Sequence, residues 1–433
     1  MPPSLIGLIG IAVFLLLVLL SMPIAFSFAI VGFIGLIILK GLGPALSILG
    51  SAPFTWASSW TLVCIPMFVL MGQFAFYSGI SQDLYASANK WLGRLPGGLA
   101  LATTLACTGF AACTGSSLAS AATMGTVAYP EMKRFKYDDG WSTGCIAAGG
   151  TLGILIPPST IFIIYGIMTK TSIAQLFIAG IFPGLIISSL FLLIIVIMFK
   201  RNPELGPPVG EICSWREKFS SLRGVWGMLF LFILVIGGLY FGLFTPSEAG
   251  TVGAFGAFMI IIFRHKLTRS VMNDALKESL QIICFILTIL IGAMIFSTFL
   301  LFTGLPGNFA SWVVTLPVDR MYILLGIVLL YFPLGCVIDA LPMVLLTLPV
   351  VFPVVERLGF NPIWFGVIMV ILCEISLLTP PVGMNLYIVN GVTKVPLETV
   401  IRGIIPFLIM LCIGLGMIIA FPEISLFLPK LMK

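Results

Sequence analysis

Two carboxylates, Asp339 and Glu374, stand inside otherwise apolar stretches, and both precede a pair of prolines, Pro380-Pro381. A carboxylate in such surroundings is costly unless it binds a cation, takes a proton or is paired. No obvious arginine or lysine accompanies Asp339 in its stretch. It therefore has two readings: cation binding, and acceptance of N–H bonds from its own turn. For Glu374, proton or sodium coupling stands beside structural hydrogen bonding. Polar groups gather nearby in sequence: Thr114-Gly115-Ser116-Ser117, Ser159 after Pro157-Pro158, and Thr379 and Asn385 on either side of Pro380-Pro381. An isolated serine in an apolar helix usually serves close packing, but Ser116, Ser117, Thr379 and Asn385 sit where helices are expected to break. Glu248, near the start of an apolar run, reads as a cap. Covalent and metal chemistry lack their parts, since His265 is the only histidine and the nine cysteines are scattered. With no G-x-x-x-x-G-K-Ser/Thr loop, work would be driven by an ion gradient or another subunit.

The elements that must position these residues are membrane helices. A hydrophobic fraction of 60% and a mean hydropathy of +1.18 exclude an ordinary water-soluble domain. Continuous apolar runs without period-two alternation point to an all-α integral membrane protein rather than a barrel. The runs predict helices over about 5–20, 23–39, 56–77, 142–168 and 175–199, then 226–243, 246–263, 280–302, 362–392 and 402–421. The first lacks a basic flank and a cleavage site, so it is expected to be a retained helix.

The chain repeats itself. An offset of 223 residues superimposes Pro157-Pro158 on Pro380-Pro381, and Pro23, Pro130, Cys113, Gly180 and Pro183 on Pro246, Pro353, Cys336, Gly403 and Pro406. Each Pro-Pro pair removes two N–H donors from a helix that would otherwise continue. Regions 98–130 and 321–355 carry a small or polar centre, Gly115-Ser116 and Gly335 to Asp339, each 41 residues ahead of its prolines when counted from Ser116 and Asp339. Each region is one long helix, two short spans or a re-entrant hairpin. The hairpin reading sorts the charge: 16 of the 22 basic residues, Lys133, Lys218, Arg264 and Lys394 among them, fall on one side. That side is then cytoplasmic, and both termini lie on the opposite, outer face. The expected fold is an inverted repeat, each half with five crossings and one hairpin: 1–199 with hairpin 98–130 and broken helix 142–168, a cytoplasmic connection 200–225, and 226–433 with hairpin 321–355 and broken helix 362–392. Paired halves with broken helices point to a secondary transporter. The basic connections suit anionic lipid headgroups, and they lack the aromatic interleaving of a nucleic-acid surface.

These motifs, G-G-T-L-G-I-L-I-P-P-S over Gly149 to Ser159 and Thr379-Pro380-Pro381-Val382-Gly383-Met384-Asn385-Leu386 above all, resemble the large membrane subunit of tripartite ATP-independent periplasmic (TRAP) transporters of the dicarboxylate and sialic acid type. The resemblance covers essentially the whole chain and implies sodium-coupled import of an organic acid across a bacterial inner membrane by an elevator-type movement. In such a membrane the outer face, with both termini, is periplasmic. It also implies two partners, a small four-helix membrane subunit and a soluble periplasmic substrate-binding protein, and no cofactor beyond sodium as coupling ion. The chain begins directly in the large-subunit pattern, so a fusion with the small subunit is not expected.

Joined to the breaks, the resemblance places sodium around Gly115, Ser116 and Gly153, and around Gly335, Asp339 and Thr379. It places the substrate carboxylate near Ser117, Pro157, Pro158, Ser159, Pro380, Pro381 and Asn385. The alternative is a stand-alone sodium/dicarboxylate or sodium/proton transporter without a soluble receptor. A membrane enzyme or scaffold is the remaining reading; the first would need a converging nucleophile and base, and the second has no use for broken helices.

Overall fold

A computed structural model of the protein describes residues 1–207, 213–381 and 383–432. Val382 of the second Pro-Pro motif, residues 208–212 of the expected connection and Lys433 lie outside the described residues. Twenty α-helices account for most of the described residues, and no strand occurs among them. The first ten are α1 (Pro3–Leu19), α2 (Ile24–Lys40), α3 (Leu42–Ala57), α4 (Cys64–Tyr77), α5 (Ile80–Leu92), α6 (Gly98–Thr114), α7 (Ser117–Arg134), α8 (Asp139–Thr151), α9 (Thr160–Thr169) and α10 (Ile173–Arg201). The second ten are α11 (Trp215–Tyr240), α12 (Pro246–Phe263), α13 (Arg269–Thr303), α14 (Leu305–Val314), α15 (Arg320–Gly335), α16 (Ala340–Arg357), α17 (Pro362–Leu378), α18 (Met384–Thr393), α19 (Leu397–Ala420) and α20 (Glu423–Leu431). Seven helical segments among the described residues are long and apolar enough to cross a membrane.

Local chemistry explains most boundaries. Ser116, Ser159 and Asp339 each accept a backbone N–H from the first turn that follows, capping α7, α9 and α16. Glu248 closes a capping box with Thr245 at the start of α12, as its position in the sequence suggests. Helix pairs recur at the offset of the prolines: α7 begins at Ser117 and α16 at Ala340, 223 residues on. α8, the interruption and α9 likewise correspond to α17, the interruption and α18. The Pro157-Pro158 and Pro380-Pro381 peptide bonds are both cis.

Where the helices depart from the apolar runs, the cause is visible. The run 56–77 is divided: α3 ends at Ala57 and a short 3-10 turn over Trp60–Val63 precedes α4. α5 and α14 have no counterpart in the hydropathy reading; α5 is amphipathic, its Asp83 and Lys90 diluting an apolar face of Ile80, Leu84, Tyr85 and Ala88. α13 starts at Arg269 rather than near residue 280, because its first three turns are polar. α1 is packed into the protein, with Phe14 stacked on Phe28 of α2 at 4.2 Å between ring centroids.

Two sets of helices are packed against each other. α2 lies along α13, α12 along α4, and α11 along α12. In the other set, α8 is wrapped by α6, α7 and α19, and α17 by α15, α16 and α19. α8 and α19 cross at close range on glycine: a Cβ on Gly403 would stand 1.8 Å from the Gly140 carbonyl oxygen, so only glycine permits the approach.

Candidate functional site

Backbone approach builds the first tip. The turn between α6 and α7 needs Gly115 in the left-handed region, with φ at +60°. A Cβ there would come within 2.5 Å of the Pro158 carbonyl oxygen, so the turn is seated on the first Pro-Pro pair. Gly153 closes the same cluster from below, its Cβ position 3.1 Å from the Ser116 carbonyl oxygen. Gly115, Ser116 and Gly153 are thus brought together around the carbonyls of Ser116 and Pro158. Hydroxyls complete the tip, with Thr114 Oγ1 and Ser120 Oγ 3.1 Å apart.

The second tip is built differently. Cys336 Sγ lies 3.2 Å from the Pro380 carbonyl oxygen, seating that turn on the second Pro-Pro pair. Gly335 faces α17, where a Cβ would stand 2.3 Å from Cβ of Ser376. Asp339 Oδ1 accepts the Ala340 N–H at 2.8 Å, so acceptance from its own turn is satisfied with one oxygen. Thr379 Oγ1 donates to the Ile375 carbonyl at 2.6 Å, back along its own helix. Gly335, Asp339 and Thr379 therefore surround the second tip without a shared hydrogen bond.

Between the tips and the helix pair α4 and α13 lies a cavity of about 540 Å³. Gly115, Ser116 and Ser117 line it from the first tip, Thr160 and Ile161 from the start of α9, and Asp339, Ala340 and Leu341 from the second tip. Three helix amino ends, those of α7, α9 and α16, consequently border one space. The first amides of a helix have no partner within it and carry the positive end of its dipole, so the arrangement favours an anion. Two carboxylates, Asp339 and Glu278, also line the space, and no lysine, arginine or histidine does among the described residues. No cluster of metal-ligating side chains occurs among the described residues.

Several expected residues lie behind the wall rather than on it. Ser159 is fully buried, its Oγ accepting the Phe162 N–H at 3.4 Å. Pro157 and Pro158 are buried beneath the first tip. Asn385 is fully buried and its Nδ2 donates to the Ala147 carbonyl at 3.2 Å, tying the second break to α8 of the first half. Pro381 is exposed and Pro380 half-buried. Sequence reasoning missed Gln73, Glu278 and Gln281, which line the cavity from α4 and α13. Glu278 Oε1 accepts a 2.8 Å bond from Tyr77 Oη. The available signal was the i, i+3 pair Glu278 and Gln281 entering an apolar run, on a face that the late helix start left out.

The family described as tripartite ATP-independent periplasmic transporter, DctM component, matches residues 11–424. A C4-dicarboxylate TRAP transporter large permease of Pseudomonas aeruginosa is 37% identical over 402 residues, covering 90% of this chain and 93% of its own. A sialic acid TRAP transporter large permease of Vibrio cholerae is 32% identical over 415 residues, covering 95% of each. Among solved structures, the Alcanivorax borkumensis YdaH transporter shares the fold with a TM-score of 0.66 at 15% identity, covering 99% of this chain and 98% of that one.

Proposed function

We propose, from the premise that this chain belongs to the DctM-component family of tripartite ATP-independent periplasmic transporters and is a multi-pass transport permease, that it imports an organic acid by sodium-coupled secondary transport. The acid is a dicarboxylate, a sialic acid or a similar carboxylate, delivered by a periplasmic binding protein to this chain and a small four-helix membrane subunit. One observation carries the reading: the amino ends of α7, α9 and α16 share a cavity with Asp339 and with no basic side chain among the described residues. Amino ends suit a carboxylate, and the absence of a fixed positive side chain leaves room for cations that travel with it.

In this reading sodium occupies the carbonyl-rich cluster of Gly115, Ser116 and Gly153 and the region of Gly335, Asp339 and Thr379. The substrate carboxylate lies over Ser117 and the start of α9; the buried Pro157, Pro158, Ser159 and Asn385, with the half-buried Pro380 and the exposed Pro381, hold the breaks that shape the wall. The two tip turns are re-entrant hairpins in inverted halves of five crossings. The cytoplasmic side is the basic one, both termini are periplasmic, and the hairpins with their breaks move as an elevator against the α2, α4, α12 and α13 set in the bacterial inner membrane.

The test is uptake of candidate acids into proteoliposomes holding this chain and its small subunit, with the binding protein and a sodium gradient each present or withheld. Uptake requiring both is expected; equal uptake without the binding protein would favour a stand-alone transporter. Single cysteines at Lys133 and Lys218 should label from the cytoplasm and one at Arg357 from the periplasm. Labelling of positions 133 and 357 from one side would overturn the inverted hairpins.

A further inference from the structure

Glu374 on α17 is fully buried, at 0% exposure, and neither carboxylate oxygen has a hydrogen-bond partner. The residues one turn away on its face, Val370, Ile371, Leu377 and Leu378, are aliphatic and buried. Most titratable groups within the helices packed on α17 are engaged elsewhere, and Tyr322, at the start of α15, is exposed. Tyr165 Oη donates to the Pro362 carbonyl at 2.7 Å, Tyr331 Oη pairs with Thr347 Oγ1 at 2.5 Å, and Cys145 Sγ contacts the Ser142 carbonyl at 3.2 Å. Asp339 is bonded to the Ala340 N–H, Tyr387 to the Pro381 carbonyl, and neighbouring Cys373 lies near the Ala340 carbonyl. Cys412 of α19 forms no bond to Glu374. The charged residues of these helices stand near helix ends: Asp139, Lys200 and Arg201 on α8 and α10, Arg320, Glu356 and Arg357 on α15 and α16. Lys394 follows α18, Glu398, Glu423 and Lys430 belong to the end turns of α19 and α20, and Arg402 lies in the second turn of α19, exposed and paired with Glu398 at 2.6 Å.

An ionised carboxylate held in this way has lost its hydration and recovered no bond, whereas a neutral acid loses far less. A sodium ion beside it would need several converging oxygens, and the aliphatic turns of α17 supply none. A proton needs one oxygen of Glu374 itself. The first half has no such group: the corresponding position, 223 residues earlier, is Thr151, whose Oγ1 donates to the Ala148 carbonyl at 2.8 Å. Glu374 also stands one turn before Leu377, which lines the cavity, and two turns from the second Pro-Pro pair.

We propose that Glu374 is a proton-binding site of the transport cycle, holding a proton in the conformation seen here and releasing it to water when the Pro380-Pro381 break rearranges. The inference rests on the transport reading above. Only an O–H bond is made and broken: the proton leaves water on one side, resides on one Glu374 oxygen and returns to water on the other, adding one positive charge to each cycle.

Two measurements on the full chain with its small subunit test this. In infrared spectra at neutral pH, a protonated-carboxyl C=O band is expected in the wild type and is expected to be lost in Glu374→Gln. Its persistence in the variant, or its absence from the wild type, would overturn the inference. In proteoliposomes containing a trapped pH dye, sodium-driven uptake should acidify the lumen, and Glu374→Gln should abolish the acidification and flatten the pH profile of uptake. Robust uptake with no acidification would overturn the proton site and leave the transporter standing, while no uptake under any gradient would overturn both. Should Glu374→Gln fold poorly, the wild-type dye and infrared readings still decide the matter, and Glu374→Asp is expected to restore acidification.

Discussion

The turn between α6 and α7 and the turn between α15 and α16 hold corresponding places in the two halves, yet they present opposite electrostatics to the same cavity. The first is capped by a neutral hydroxyl, Ser116, and seated by a glycine backbone on the Pro158 carbonyl. The second is capped by a carboxylate, Asp339, and seated through Cys336 on the Pro380 carbonyl. A neutral cap leaves the positive end of α7 uncompensated, whereas at α16 the cap is itself an acid, Asp339, which uses one oxygen on the Ala340 N–H. One repeated turn thereby presents a hydroxyl cap at one tip and a carboxylate cap at the other, and the difference needs no more than one side chain at each cap.

The sharpest way to break this comparison is at Gly115. Gly115→Val places a β-branched residue at φ +60° with its Cβ 2.5 Å from the Pro158 oxygen, so left-handed strain of about 1–2 kcal/mol adds to a backbone collision. Uptake should fall by at least about tenfold, the factor that about 1.4 kcal/mol represents, with a lower Tm. Wild-type uptake would mean that the first tip need not rest on the prolines.

Ser116→Asp makes the first tip resemble the second. Aspartate caps as well as serine, so stability should hold. The added charge should raise the substrate concentration for half-maximal uptake by roughly tenfold, equivalent to about 1.4 kcal/mol of repulsion. An unchanged value would place the carboxylate away from α7.

The reciprocal change, Asp339→Asn, keeps a good cap and removes the charge. The sodium concentration for half-maximal uptake should rise about threefold to tenfold, or about 1 kcal/mol, with little change in substrate affinity at saturating sodium. Sodium activation identical to the wild type would assign Asp339 to capping alone.

The smallest effect is expected from Ser159→Ala. It removes the bond to the Phe162 N–H behind the wall and should cost about 1 kcal/mol of stability, as cap deletions do. A Tm lower by a few degrees with near-normal uptake is the expected outcome. A large loss of uptake at unchanged Tm would bring Ser159 to the substrate.

Much of this was legible from residue order because its causes are local. Pro157-Pro158 and Pro380-Pro381 withdraw N–H donors wherever they fall, so both breaks were readable, and Ser116 and Asp339 announce caps by type and position. The polar first turns of α13 and the diluted face of α5 were not legible, because hydropathy averages over a window and both elements are helices held by packing on one side. Ser159 and Asn385 were expected at the substrate, and their burial behind the wall depends on how α9 and α18 are turned.

The sequence by itself determined that this is a helical membrane protein of two related halves, each broken at a proline pair, because solvent and backbone hydrogen bonding act on every residue where it stands. Only the tertiary structure decided that the amino ends of α7, α9 and α16 border one cavity and that Glu278 faces it from α13. It also decided that Asn385 reaches across to Ala147 and that Glu374 is left without a partner. Those outcomes depend on how distant helices cross, and crossings are set by close contacts such as Gly403 on Gly140, whose partners lie far apart along the chain.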